Sequence, residues 1–335
     1  MPARETDRGV ALWLYICCAM IFAMVVLGGL TRLTGSGLSM ATWRPVTGWL
    51  PPLDAAGWEA AFALYRDTPE FRRVNFWMTV EDFRSIFWLE YLHRLWGRFI
   101  GLVFAVPAVW FALRGRIGRR LGLALGIAFL LGAAQGALGW YMVQSGLVDR
   151  PDVSHYRLAA HLALALAVYG FLLWLALGLT HERAARGPHG AHLGLIVAGI
   201  ALTAIWGAFT AGLDAGHIHP TFPLMGGRLV PPEAFSIAPW TADLTGNPAT
   251  VQLVHRWLAI LVLVAILALW WRIRRAPPGE RRAFDLLAGM GLLQAGLGIA
   301  TLLLGVALAV AALHQAGAVV LLSLAIHALH ASRRV

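Results

Sequence analysis

Eight runs of about 20 apolar residues, separated by polar loops, restrict the fold of this chain more than any other feature. An α-helix needs about 20 such residues to cross the hydrocarbon core of a bilayer. The last two runs form one continuous apolar stretch, which predicts a tight turn near Gly305. The sequence therefore predicts an all-α, polytopic membrane protein in the lipid bilayer. Its spans lie at 10–30, 86–113, 121–143, 157–180, 193–213, 250–271, 284–304 and 308–330.

The composition supports this class. Hydrophobic residues make up 59% of the chain and charged residues 13%, whereas a soluble domain has about 45–50% and about 25%. The net charge of +10 would suit a nucleic-acid partner, but most of the arginines lie in the loops and termini beside apolar runs, so we expect none. Cys17 and Cys18 are adjacent within the first run, which predicts neither a disulfide nor a cysteine-based metal site.

The arginines are concentrated in alternate loops. The loops 114–120, 181–187 and 271–282 are rich in arginine, and short loops of this kind remain on the cytoplasmic side. This pattern predicts cytoplasmic termini and places 31–85 and 214–249 on the opposite side. The longer of these two loops is expected to fold as an extracytoplasmic cap.

The first half of the sequence recurs, in weaker form, in the second half. QGALGWYM in the third run matches QAGLGIAT in the seventh, and YLHRLWGR in the second matches LVHRWLAI in the sixth. Because four spans return a chain to its starting side, the two halves run in the same direction. The pattern predicts duplicated four-helix halves at 1–180 and 181–335.

Each even-numbered run carries one histidine in its first turns. All four therefore lie at one depth, two in each half. Two histidines on different helices at equal depth are what bis-imidazole coordination of a haem iron requires. The alternative for any one of them is a structural, hydrogen-bonded residue between helices. The candidate metal ligands are His93, His161, His255 and His314.

Three arginines lie within one turn of these histidines. Arg94 and Arg256 directly follow two of them, and Arg157 precedes a third by four residues. A guanidinium at the membrane surface is a natural partner for a haem propionate, so all three are candidate cofactor-binding residues. The HIHP segment of the loop 214–249 could also bind a metal, although a plain loop is the simpler interpretation.

A carboxylate distinguishes the two halves. Glu90 lies three residues before His93, on the same face of the predicted helix, while the matching position of the second half is Gln252. An ionisable residue within a span is costly and usually faces a partner or a site. A pair of haems that only carries electrons does not need this difference, so Glu90 is the candidate catalytic residue.

At these residues the sequence resembles the haem A synthase family, membrane enzymes that oxidise the C8 methyl of haem O to a formyl group. The matching segments touch the predicted extracytoplasmic regions and all eight runs. They are GGLTRLTGSGLSMATWRPVTGWLPPL, FRSIFWLEYLHRLWGR, SHYRLAAHL, GAFTAGLDAGHIHPTFPLMGG, QLVHRW and AALHQAG. Some members carry a cysteine pair in an extracytoplasmic loop. This chain lacks that pair and resembles the branch shared by mitochondria and related bacteria.

The resemblance implies two four-helix bundles with pseudo-twofold symmetry, in a bacterial inner membrane. It implies that His93 and His161 flank haem O as substrate, with haem A as product. His255 and His314 would hold haem B for electron transfer, and Glu90 would be catalytic. A haem O synthase is an expected handover partner. The electron partner is unknown, and whether the chain forms a homo-oligomer is left open.

The chemistry is compatible with this resemblance. Conversion of a methyl to an aldehyde takes two successive oxidations, and the second gives a gem-diol that loses water. The sequence has no dinucleotide fingerprint, no facial triad and no cysteine cluster, so the oxidising equivalents must pass through haem iron. Glu90 would then position a water or stabilise positive charge at the methyl carbon.

Two other functions fit parts of the pattern. A dihaem b-type cytochrome that takes electrons from quinol would use the same four histidines, although it does not explain the difference between Glu90 and Gln252. A transporter would use parallel repeats, but the polar residues lie near one membrane surface and not at mid-depth.

Overall fold

The computed structural model describes residues 5–44, 47–148, 150–180 and 189–332. The arginine-rich loop predicted at 181–187 lies outside these residues. The described part forms eleven helices: α1 (Glu5–Leu33), α2 (Ala55–Arg66), α3 (Pro69–Arg73), α4 (Val80–Leu113), α5 (Arg119–Val148), α6 (His155–Thr180), α7 (Gly190–Gly212), α8 (Trp240–Gly246), α9 (Pro248–Ile273), α10 (Pro278–Leu303) and α11 (Leu308–Ala331).

Eight helices of the described part are long and apolar enough to cross a membrane, as the sequence predicts. They are α1, α4, α5, α6, α7, α9, α10 and α11. In the same residues the only β-structure is an isolated bridge between Met225 and Arg228. The protein is therefore an all-α, multi-pass membrane protein.

The predicted turn between the last two spans is confirmed. Helix α10 ends at Leu303 and α11 begins at Leu308. Gly305 between them has a φ of +61°, a left-handed conformation that glycine adopts without steric cost. The single apolar stretch is therefore split into two crossings.

The chain divides into two compact units. One comprises Ala19–His161, and the other comprises Met1–Cys18 together with Leu162–Val335. Within the second unit α7 packs on α9 and α11, and α10 packs on the same two helices, which closes a four-helix ring. The division into halves at 1–180 and 181–335, and the symmetry between them, stay predictions.

The described residues between α1 and α4 form a folded segment. Helix α2 is capped by Asp54, whose side chain accepts a hydrogen bond from Gly57 N at 2.7 Å, and α4 begins with a capping box between Thr79 and Asp82. The interior between α2 and the start of α4 is aromatic, so burial of large rings holds the cap on the span that carries Glu90. Its buried residues are Trp58, Phe62, Tyr65, Phe83, Ile86, Phe87 and Tyr91.

The loop between α7 and α9 is built on polar contacts. Asp243 is buried at 1% exposure and accepts hydrogen bonds from Ile237 N at 2.6 Å, from Asn247 Nδ2 at 3.0 Å and from Thr250 Oγ1. Asn247 also caps α9, because its side chain accepts from Ala249 N at 3.0 Å. This network joins the loop directly to the helix that carries His255.

Candidate functional site

Each of the four predicted histidine ligands packs against a glycine on a neighbouring long helix. The approach is so close that a Cβ on any of these glycines would lie 2.9–3.1 Å from the imidazole ring, and real Cβ atoms are very rarely found so near another heavy atom. All four histidines are half-buried. The pairs are Gly28 with His93, Gly139 with His161, Gly207 with His255 and Gly298 with His314.

The sequence analysis did not identify these glycines as functional residues. A signal was present for two of them, because Gly139 and Gly298 hold the same place in the repeated segments QGALG and QAGLG. The small residues make room for the ring on the neighbouring helix.

The pair in the second half has the geometry of a two-imidazole site. The ring centroids of His255 and His314 are 6.5 Å apart, and the ring planes are at 88°. Two imidazole nitrogens that bind one metal ion at about 2.0–2.1 Å from opposite sides place their ring centroids about 6 Å apart. His255 Nδ1 donates to Thr203 O at 3.0 Å, which leaves Nε2 with its lone pair free to bind metal. These residues fit a bis-imidazole haem.

The pair in the first half belongs to the other compact unit. His93 lies on α4, with Gly28 of α1 beside its Nε2. His161 lies on α6, where Gln135 of α5 donates from Nε2 to its carbonyl oxygen at 3.0 Å and lies 3.3 Å from its ring Nε2. Both histidines are thus held by contacts from a second helix.

Glu90 is almost completely buried, at 2% exposure, and its carboxylate is fully engaged. Oε2 accepts hydrogen bonds from Ser39 Oγ and from Met40 N, each at 2.7 Å. Oε1 accepts from Arg94 Nε at 3.0 Å and from Arg94 Nη2 at 2.5 Å. A carboxylate has about four lone-pair sites, so these contacts occupy them all.

Arg94 joins the same segment through the backbone. Its Nη1 donates to Thr42 O and its Nη2 donates to Met40 O, each at 2.8 Å. The ion pair of Glu90 and Arg94 therefore fastens residues 39–42 to the first turns of α4. We call this arrangement the Glu90 latch.

The second half has a matching but weaker attachment. Arg256 donates to Thr221 O at 2.7 Å and to His219 O at 2.5 Å. Gln252, at the position of Glu90, donates to His219 O at 3.3 Å, and its own oxygen is buried without a hydrogen-bond partner in the described part of the chain. In both halves an arginine bonds backbone carbonyls of the loop that precedes its helix. Only in the first half does a carboxylate, that of Glu90, pair with this arginine.

Arg157, the third predicted propionate partner, is placed differently. Its guanidinium lies 3.7 Å from the centroid of the Tyr141 ring, and its Nη1 donates to Tyr141 O at 2.6 Å. This links the first turn of α6 to the end of α5. The three arginines share one feature, because each guanidinium bonds a backbone carbonyl of a neighbouring segment.

Comparison with known proteins agrees with this geometry. Residues 11–326 match the COX15-CtaA family, described as cytochrome oxidase assembly protein. The chain belongs to this family. Among the relatives named haem A synthase, that of Paramagnetospirillum magneticum is 48% identical, covering 98% of this chain and 95% of its own length. That of Rhodospirillum centenum is 47% identical, covering 97% and 89%. The relative from Arabidopsis thaliana, named haem A synthase COX15, is 43% identical, covering 98% and 76%.

Further residues of this COX15-CtaA site escaped the sequence reasoning. Ser39 and Thr203 contact Glu90 and His255 through tertiary hydrogen bonds, and nothing in their local sequence marks them. Gln135 and Gln294 were visible in the repeated QGALG and QAGLG segments, but only as evidence of duplication. Sequence analysis found the ionisable groups, and the structure adds the neutral groups that hold them.

Proposed function

We propose that this protein converts haem O to haem A, by oxidising a methyl group of the porphyrin to a formyl group. The observation that carries the proposal is the pair of similar histidine sites of which only one has a carboxylate. Membership of the COX15-CtaA family and the names of the relatives support it.

The second-half pair would hold the resident cofactor. His255 and His314 have the spacing for one bis-imidazole haem B, and the hydrogen bond from His255 Nδ1 to Thr203 O orients the ring for binding through Nε2. When bound, haem B would supply one-electron transfer. Gly207 and Gly298 make room for the two imidazoles.

The first-half pair would take the substrate. His93 and His161 would flank haem O, with Glu90 one turn before His93 on the same helix face. Because its lone pairs are already occupied, Glu90 is better suited to stabilise developing positive charge near the methyl carbon than to hold a water. Its rigid contacts would keep that charge in place without reorganisation.

The arginines would meet the haem propionates to different extents. Most N–H groups of Arg94 already donate to Glu90, Met40 and Thr42. Arg256 uses Nη1 and Nη2 for single backbone contacts and keeps further donors for a propionate. Arg157, stacked on Tyr141, would assist at the substrate site.

The remaining assignments follow from the proposed reaction. The arginine-rich loops support a position in a bacterial inner membrane with both termini in the cytoplasm. Haem O must come from a protein that makes it, so a haem O synthase is the expected handover partner. An electron partner is required because the oxidation releases electrons, and a homo-oligomer is compatible with the arrangement.

Haem analysis of the purified protein tests the proposal. The protein would be isolated in mild detergent, and its extracted haem would be identified by chromatography and mass spectrometry. We expect haem B together with haem O, haem A or a hydroxylated intermediate, and conversion of added haem O. Haem B alone, with no conversion of added haem O, would favour the dihaem cytochrome, and a protein without haem would exclude both.

The catalytic role of Glu90 is tested separately. Glu90→Gln places the residue of the second half in the first, and it should stop formyl production while haem B remains bound. Glu59→Gln, at an exposed position of α2, is the matched control and should behave as wild type. Normal conversion by the Glu90 variant would show that the carboxylate has another role.

A further inference from the structure

One glutamine in each half of the protein contacts a candidate histidine ligand. Gln294 on α10 donates from Nε2 to the carbonyl oxygen of His314 at 2.9 Å, and the same nitrogen lies 3.1 Å from the ring Nδ1 of that histidine. Gln135 on α5 donates to the carbonyl oxygen of His161 at 3.0 Å, but its Nε2 lies 3.3 Å from the other ring nitrogen, Nε2. Each amide therefore touches both the backbone and the ring of one histidine.

A glycine one turn after each glutamine completes the contact. A Cβ at Gly139 or at Gly298 would lie 2.9 Å from Cε1 of the same imidazole. The pattern is Q-x-x-x-G in both cases, and residues four apart share one helix face. We call Gln135 with Gly139, and Gln294 with Gly298, the glutamine seats.

The second half shows what a glutamine seat adds. His255 has a fixed partner, because its Nδ1 can only donate to the carbonyl of Thr203. The amide of Gln294 is different, since it carries both a donor and an acceptor. Its Oε1, like that of Gln135, is buried without a hydrogen-bond partner in the described residues. A half-turn of the amide would present this oxygen to the ring and would break the hydrogen bond from Nε2 to the His314 carbonyl oxygen.

The two amide orientations suit two tautomers of the imidazole. A ring nitrogen that carries no proton accepts from Nε2, as the present contact allows. A histidine that binds metal through Nε2 keeps its proton on Nδ1 and needs an acceptor there, which Oε1 can supply. A leucine could serve neither state, and a glutamate could serve only the second.

We propose that Gln294 is a positioning residue that orients His314 through its Nδ1 and sets its donor strength towards haem B. The inference rests on the proposed function, because it requires His314 to bind haem. Partners of a ligating histidine usually change metal affinity or activity by about 10–100-fold when they are removed.

Redox titration of haem B in the purified full-length protein tests the inference. Gln294→Leu removes the hydrogen bond, so the ring becomes a weaker donor and the reduction potential should rise. Gln294→Glu supplies a carboxylate acceptor, so the potential should fall below that of wild type. Haem B retention should drop about 10–100-fold in the leucine variant and recover in the glutamate variant.

The controls separate this inference from the proposed function. Leu292→Ala changes an exposed side chain on the same helix and should leave the potential unchanged. Gln135→Leu removes the glutamine of the first half and should leave the haem B potential unchanged. Wild-type potentials and wild-type haem retention in both Gln294 variants would overturn the glutamine role alone. A wild-type protein without a low-spin bis-imidazole spectrum would overturn the proposed function instead.

Discussion

The two histidine sites share most of their contacts but differ in one carboxylate. In each, a glycine receives each imidazole, a glutamine contacts one histidine, and an arginine holds the adjoining loop by backbone carbonyls. In the first, Glu90 adds a buried carboxylate bonded to Ser39, Met40 and Arg94. In the second, Gln252 makes one long hydrogen bond to a carbonyl. The shared parts suit haem binding, and the unshared carboxylate suits catalysis.

In the proposed function, this difference would give only one of the two similar sites its reactivity. A buried carboxylate is costly unless donors and a counter-charge surround it. The first half provides both through the Glu90 latch, whereas a neutral amide needs no counter-charge. Replacement of one residue therefore changes the electrostatics of a site while its histidine geometry is preserved.

The largest effect on the rate of haem A formation should come from exchange of Glu90 and Gln252. Glu90→Gln should lower the rate of haem A formation by at least about 100-fold, because a positioned charge of this kind contributes about that much. The haem B spectrum should persist. Gln252→Glu, made together with the first change, should not restore the rate, since among the described residues no hydroxyl contacts Gln252 as Ser39 contacts Glu90. Rates are measured by chromatography of extracted haem.

The next effect should come from the glycines. Gly298→Ala and Gly207→Ala both push a Cβ towards an imidazole of the second half, but the first would start at 2.9 Å and the second at 3.1 Å. We expect greater loss of low-spin haem B in the Gly298 variant, measured as haem per protein after purification. Equal and complete retention in both would show that the close packing is not needed for haem binding.

A smaller effect is expected at Ser39. Ser39→Ala removes one hydrogen bond to Glu90 Oε2 and leaves Met40 N in place. Loss of one partner of a buried charged group costs about 1.5–3 kcal/mol. We expect the rate of haem A formation to fall about 10-fold, which is less than for Glu90→Gln. A Ser39→Thr variant, which retains the hydroxyl, should recover part of the rate.

The smallest effect is on the pH dependence of stability, through one buried carboxyl group in each of the loops 31–85 and 214–249. Burial, together with the negative charge of Glu90, raises the pKa of Glu70 from 4.5 to about 7, although Tyr65 donates to it at 2.9 Å. The folded state therefore binds the proton more tightly, so stability is greatest at low pH and is lost between about pH 4.5 and 7. Thermal unfolding of wild type should shift down by a few degrees between pH 5 and 8, and Glu70→Gln should remove this dependence.

Asp243 in the other loop should behave in the opposite way. Burial alone would raise its pKa, but the hydrogen bonds from Thr250, Ile237 and Asn247 together hold the pKa below its usual value of 3.8. Its stabilising contribution is present at neutral pH and is lost only as pH falls through that lowered pKa. Asp243→Asn should therefore lower the unfolding temperature equally at pH 5 and pH 8. A strong pH dependence of its effect in this range would contradict the assignment.

The residues with the strongest chemistry could be predicted from the sequence. A histidine or a glutamate in an apolar run is conspicuous, because burial of such a group needs a reason. Periodicity and the repeated segments then predicted that the histidines lie at one depth, and they singled out Glu90 by its difference from Gln252. The turn at Gly305 followed from the length that a span can have.

The partners of these residues could not be predicted in the same way. The sequence reasoning assigned Arg94, Arg157 and Arg256 to propionates, and whether they bind them stays a prediction. The structure adds that each guanidinium bonds a backbone carbonyl. Backbone groups are identical along the chain, so no pattern of side chains reveals which carbonyl a guanidinium meets.

Span number, helical class and the candidate ligands were thus available from the chain alone, because hydrophobicity and charge are local properties of a segment. The glycine contacts, the Glu90 latch and the glutamine seats needed the folded structure. They depend on the rotation and separation of neighbouring helices, which are set by packing between residues far apart in sequence. The physical reason is that a hydrogen bond or a close packing contact forms only when the two groups lie within a few ångströms of each other. The sequence does not give such distances between residues on different helices.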